Sequence, residues 1–181
     1  MRLNYLFATG LFALLSIGQI SAQTSFSHSL GGTAYISPNV DGIGITYSPR
    51  LNVVEIVDEV TLSVGTHLGL GFNFSSDREG SSNSFVLDLP IVAELNFGHG
   101  ANPDAQSSFG GFVGFGYGIS KMGAEDDFGV GRNDAAGLIV NGGIRAIIME
   151  RPVGLRVSYL LNSKSGAESV LGVGIFYNIG Y

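Results

Sequence analysis

The chain has 181 residues, 45% hydrophobic and only 13% charged, with 28 glycines, no cysteine and a formal charge of -6. Soluble domains carry about a quarter charged residues, so this composition argues against an ordinary soluble domain, and the acidic balance argues against nucleic acid as a partner. The length suits a single domain, and the absence of cysteine excludes disulfides, thiol nucleophiles, zinc–thiolate sites and a lipidated cysteine, so any anchoring must come from the fold.

Residues 1–22 read as a secretory signal peptide. Arg2 supplies the positive start, Tyr5 to Ile17 the apolar stretch and Gln19-Ile20-Ser21-Ala22 the cleavage region, which leaves 23–181 as the mature domain, more acidic by one charge. An N-terminal membrane anchor is the competing reading, but the stretch is shorter than the roughly 20 residues a span needs and is broken by Thr9, Gly10 and Ser16. No later apolar run is long enough for a membrane helix. The remaining way to be apolar and membrane-embedded is a closed β-barrel, because lipid satisfies no backbone hydrogen bond.

The rest of the sequence reads in steps of two, the period that sends successive strand side chains to opposite faces. The first two strands, about Phe26 to Ile36 and Ile43 to Val53, are the least regular, although Ile43, Ile45, Tyr47, Leu51 and Val53 alternate. Pro49 removes a ladder donor there, so a bulge or irregularity is expected at it. From Thr61 to Phe74, Leu62, Val64, Thr66, Leu68, Leu70, Phe72 and Phe74 oppose Ser63, Gly65, His67, Gly69, Gly71 and Asn73. From Phe85 to Phe97 the odd positions are apolar, while Asp88, Pro90, Glu94 and Asn96 fall on the other face. That length is natural for a tilted membrane strand and long for an ordinary one.

Segments from Phe109 to Ile119, Leu138 to Ile148, Leu155 to Leu161 and Leu171 to Tyr181 complete the set. In the first of these, Gly111 leaves a gap on the apolar side and Phe112 intrudes on the other. Glycine recurs on the inner face, where a narrow barrel closes on itself. The expected fold is therefore all-β: an eight-stranded antiparallel up-and-down transmembrane β-barrel. Polar connections at Ser37 to Gly42, Ser75 to Ser84, Met122 to Asp134 and Ser163 to Glu168 share one rim. Val54 to Val60, Gly98 to Ser108 and the tight Glu150-Arg151-Pro152 turn share the other, where Gly98 to Ser108 is unusually long.

The terminal strand, with Tyr177, Ile179 and Tyr181 on one face, resembles the C-terminal signature that outer-membrane barrels present to the barrel-assembly machinery. The whole looks like the small eight-stranded outer-membrane proteins of the OmpX and OmpA-barrel type. "GLRVSYLLN", "LDLPIVAELNFGHG" and "GVGIFYNIGY" further resemble small outer-membrane β-barrels of the Bacteroidetes group. The resemblance implies outer-membrane lipid as surroundings, the assembly machinery as a partner during insertion, and no reaction or cofactor. An even strand count puts both termini on one side, which in such barrels is the periplasm, with the longer loops outside.

If the apolar rows face lipid, Arg50, His67, Asp88, Glu94, Arg145 and Arg156 all point inward. An eight-stranded interior is just wide enough for side chains to fill, so these residues are expected to form a hydrogen-bonded polar plug with each charge paired. The functional version of the same set is a narrow pore whose paired charges separate. Two further readings compete: a secreted soluble β-barrel holding a hydrophobic ligand, with every face inverted, and a lipid-modifying outer-membrane enzyme.

For catalysis the histidines are His28, His67 and His99. Ser27 and Ser29 flank His28 but point to the opposite face, and His99 lies in a turn. Glu125-Asp126-Asp127 with Asp134 offers carboxylates to calcium but lacks the spacing of a calcium loop, so a solvated acidic loop is expected. Tyr35, Tyr47, Tyr117, Tyr159, Tyr177 and Tyr181 are candidates for aromatic girdles at the bilayer boundaries.

Overall fold

The computed structural model describes residues 24–38, 40–73, 84–123 and 133–180. The signal-peptide reading of 1–22, the connections at 75–83 and 124–132 with Glu125-Asp126-Asp127, and the terminal Tyr181 lie outside those residues. The strands are β1 (Ser25–Ile36), β2 (Gly42–Val57), β3 (Val60–Thr66), β4 (Leu68–Asn73), β5 (Ser84–Gly98), β6 (Phe109–Gly123), β7 (Asn133–Ile148), β8 (Arg151–Asn162) and β9 (Val170–Gly180). All pairings are antiparallel; β3 and β4 each pair with β2 and β5, the other strands pair with their chain neighbours, and β1 also pairs with β9, which closes the ring.

Strands β3 and β4 lie between β2 and β5 in one continuous register, so they are two halves of a single stave and the ring has eight strands. The interruption is His67. Thr66 faces Ile91 and Gly69 faces Asp88, which puts His67 opposite Pro90, a residue with no N–H to give. On the other side Pro49 stands level with Thr66, and its carbonyl oxygen points at this stave, 2.8 Å from where a Cβ on Gly65 would lie.

The irregularity expected at Pro49 therefore falls on its β3/β4 side, as the break at His67, and not as a bulge toward β1. The β1–β2 ladder passes Pro49 opposite His28 without a shift, because the missing donor faces β3 and β4 instead. Register irregularities fall at Asn52/Val54 and Glu55/Val57 between β2 and β3, and at His28/Ser29 between β1 and β9.

The two turns read at 54–60 and 150–152 are tighter than expected and displaced. Asp58 and Glu59 alone separate β2 from β3, with Glu59 at φ 58°. Met149 and Glu150, at φ 51° and 64°, separate β7 from β8, the left-handed pair that suits a right-twisted two-residue hairpin. Pro152 falls inside β8, near its first residue, where a missing donor is tolerated.

The alternating rows face as the sequence indicates. Phe72, Ile91 and Phe115 point outward at 70%, 68% and 69% exposure, and their inward neighbours Val92 and Glu94 are buried. Phe112 turns inward and meets Phe176 edge to face at 6.1 Å. Both rings occupy space that a Cβ on Gly143 or Gly154 would fill, with approaches of 2.6 Å and 2.3 Å, so the inner glycines make room for aromatic filling. Tyr35 is a correction to the girdle reading: it is buried in the lumen, while Tyr47, Tyr117, Tyr159 and Tyr177 face outward.

The lumen has two halves. Toward the rim of the loops at 37–41 and 163–169, Tyr35, Val40, Val86, Val92, Met122, Ala135, Ile139, Leu160 and Val170 form an apolar cluster. Asn133 braces that rim, donating to Ser37 Oγ at 2.9 Å and to the Glu168 carbonyl at 3.0 Å. Toward the rim of the chain ends the filling is polar.

Candidate functional site

The polar half is built from the inward rows of β2, β3, β5, β7 and β8. Two arginines converge from opposite walls on the same pair of oxygens. Arg50 donates through Nη1 to Asn96 Oδ1 and through Nη2 to the Gly100 carbonyl, each at 2.6 Å. Arg145 donates to Asn96 Oδ1 at 2.8 Å and to the Gly100 carbonyl at 3.2 Å. Asn96 is held in turn, its Nδ2 donating to Ser63 Oγ at 2.8 Å.

Deeper in the lumen, His67 Nε2 lies 2.9 Å from Glu94 Oε1, and Asn141 Nδ2 donates to the same carboxylate oxygen. His67 reaches Glu94 because both lie on the inward faces of neighbouring staves. Arg156 donates to Ser48 Oγ at 3.1 Å, and its guanidinium lies 4.9 Å from the Phe176 ring centre; that of Arg145 lies 4.5 Å from the Phe112 centre. Ring faces carry partial negative charge, so they hold cations where water cannot follow.

The structure thus brings together Arg50, His67, Glu94, Arg145 and Arg156, as the shared inner parity implies. Ser48, His67, Glu94 and the three arginines line a cavity of about 20 Å³, room for about one water molecule. Asp88 stands apart. It is level with Gly69 and Ser120 in the ladders, in the half occupied by the apolar cluster. Partners are shared across the cluster: Arg50 and Arg145 both donate to Asn96 Oδ1 and the Gly100 carbonyl, and the carboxylate of Glu94 serves His67 and Asn141 together.

The members that the sequence reading missed are Asn96, Asn141, Ser63 and the carbonyl of Gly100. The asparagines sit on the inner parity of their strands, which was the available signal. Gly100 belongs to the long connection between β5 and β6, whose length was noticed but whose course was not. It turns back under the barrel at Gly98 and Gly100, with φ 63° and 80°, and buries Ala101 and Asn102 in the mouth.

Glu59 sits beside this connection. Its carboxylate accepts from the Gln106 and Ser107 amides at 2.6 and 3.1 Å and from Ser107 Oγ. The Ser107 hydroxyl, then the Gln106 amide, hold its pKa below the usual carboxylate value. His99 is held below the usual imidazole value by burial and then by Arg145.

His28 lies on the outer wall, its ring edge-on to Tyr47 and its Nδ1 3.4 Å from the Tyr47 hydroxyl. Among the described residues, no group of three His, Asp or Glu side chains is placed to hold a metal ion.

No family model and no curated protein matches the sequence. Solved structures do match. Neisserial surface protein A is similar over 87% of this chain and 99% of its own, at 14% identity and a TM-score of 0.51. The outer membrane enzyme PagL is similar over 87% of this chain and 100% of its own, at 14% identity and a TM-score of 0.50. The N-terminal β-barrel domain of Pseudomonas aeruginosa OprF also matches, over 87% of this chain and 100% of its own, at 14% identity and 0.48. The ring of eight antiparallel strands, apolar outside and polar within one half, has the fold of the small outer-membrane β-barrels of the OmpX and OmpA type.

Proposed function

We propose that the chain is an integral protein of the bacterial outer membrane, with both chain ends in the periplasm and a structural or surface-interaction role carried by the loops of the opposite rim, without catalysis. The observation that carries this reading is the direction of the two rows. Outward apolar chains such as Ile45, Phe72, Ile91, Phe115, Leu138 and Ile175 surround the whole ring, while Arg50, Glu94, Arg145 and Arg156 are buried inside it. Monomeric soluble proteins rarely expose a contiguous apolar patch beyond a few hundred Å². A soluble carrier of a hydrophobic ligand needs the same rows pointing inward.

A pore is disfavoured by the apolar cluster lying across the lumen beyond the polar cavity. The enzyme reading gains from the shared fold with PagL, but a fold carries many activities. His67 is buried within the wall, where its recorded partners are Glu94 and Asn141, and a lipid substrate would lie outside that wall.

The test is fractionation of the expressed protein, with gel mobility before and after boiling in detergent. Recovery in the outer membrane with heat-modifiable migration is expected, together with cleavage of the 75–84 connection by protease added to whole cells and protection of a C-terminal epitope. Recovery as a soluble protein overturns the membrane assignment, and an epitope exposed on intact cells overturns the orientation.

A further inference from the structure

Residues 99–108 fold back into the mouth of the polar half, where the Gly100 carbonyl backs two of the arginines that line the chamber, and their anchors form two sets. The inner set is deep in the mouth. The Gly100 carbonyl accepts from Arg50 and Arg145, the Ala101 carbonyl accepts from Thr61 Oγ1 at 2.6 Å, and Asn102 Nδ2 donates to Glu55 Oε1 at 2.7 Å. The outer set is one side chain, Glu59, which gathers Gln106 and Ser107.

The segment is neither helix nor strand. Within it, the recorded backbone bond is Ala105 N to the Asn102 carbonyl at 3.4 Å, while His99 and Ala101 bond back to Phe109 and Gly98. Apart from the Ser108 carbonyl, which accepts from Ile147 N at 3.0 Å, side chains of the barrel hold it in place. Segments with few backbone bonds of their own open at low free-energy cost while the surrounding ladders stay intact.

We propose that residues 99–108 are a detachable plug, latched by Glu59, that controls the access of water and small polar solutes from the rim of the chain ends to the chamber around His67 and Glu94. Beyond the chamber lies the apolar cluster, so release of the plug opens a blind vestibule and not a through-channel.

The absence of native cysteine permits a clean test. Ser29, buried and lining the chamber, is replaced as Ser29→Cys, with Ser27→Cys as the substitute reporter if the first does not fold. Ser120→Cys, in the other half of the lumen and fully buried, is the control. Each is labelled with a small water-soluble methanethiosulfonate in the folded barrel, with Glu59 intact, as Glu59→Gln and as Glu59→Ala.

Labelling at Ser29→Cys is expected to speed up by at least roughly tenfold in Glu59→Ala, the factor for losing even one of the three hydrogen bonds to this carboxylate, with Glu59→Gln between. Ser120→Cys should not change. Equal rates at Ser29→Cys with and without Glu59 overturn the latch. Acceleration at both reporters overturns the plug, because it reports loosening of the whole barrel.

Discussion

Toward the rim of the chain ends, the lumen is filled by Arg50, His67, Glu94, Arg145 and Arg156, held by asparagines, ring faces and a chain carbonyl. Toward the opposite rim the same lumen is filled by Val86, Met122, Ile139, Leu160 and their neighbours. One backbone ring thus uses two ways of excluding empty space. The apolar half is specified by volume, where any chain of the right size and shape serves. The polar half is specified by partners, where removing one group strands others that cannot reach water. Tolerance to substitution should differ accordingly.

The largest effect is expected at Glu94. Glu94→Leu keeps most of the volume but leaves His67 and Asn141 without their shared carboxylate and removes the buried negative charge beside the arginines, a loss of about 3–5 kcal/mol for breaking a buried charge network. The fall in urea midpoint, read from the heat-modifiable band, checks it. A cost below about 1 kcal/mol would mean that the two halves do not differ in kind.

Next is Leu160 in the apolar cluster. Leu160→Ala should cost about 2–5 kcal/mol through the cavity it opens, whereas Leu160→Met, similar in volume, should cost less than about 1.5 kcal/mol. The same urea series measures both. If the methionine variant is as damaging as the alanine one, volume is not what specifies this half.

The smallest effect concerns the mouth of the polar half and is read by pH. Glu59 and His99 both have folded-state pKa values below their ordinary values of 4.5 and 6.5. Groups lowered in this way stabilise fully above the ordinary value, and the contribution is lost as pH falls through the folded one. Acidification should therefore loosen residues 99–108 in two steps, His99 beginning below 6.5 and Glu59 below 4.5. Asp58 shares the turn with Glu59, and Asp104 lies in the segment itself. Hydrogen exchange, corrected for its intrinsic pH dependence, should show Glu59→Gln abolishing the lower step. Retention of that step in the variant assigns it to another carboxylate.

The staves were legible because a strand with one face on the outside of the ring and the other in a lumen writes its two environments into alternate residues. Phe85 to Phe97 announces its faces without help from any other segment. Strand ends were less legible. β2 extends to Val57 and β7 begins at Asn133, beyond the alternating cores, because ladder pairing continues where the side chains leave the apolar belt.

The inner charges were found by parity, but their partners were not. Which oxygen Arg50 and Arg145 share depends on the path of the connection after Gly98, and that path is set by contacts from Glu59, Thr61 and Glu55, far away in sequence. Local pattern carries no record of such meetings. The break at His67 was hidden for a similar reason: its cause, Pro90, lies on the neighbouring stave.

The pairing of β1 with β9 sets Ser29 beside Asn178 and Ile36 beside Leu171, residues from the first and last strands of the ring. Such contacts have the highest possible contact order, and their loop-closure entropy must be met before any reward arrives. Every shorter product of synthesis consequently keeps two unpaired edges, each a template for association with another chain. Completion of the last strand converts an aggregation-prone ribbon into an edgeless object in a single step, so closure itself separates finished molecules from unfinished ones.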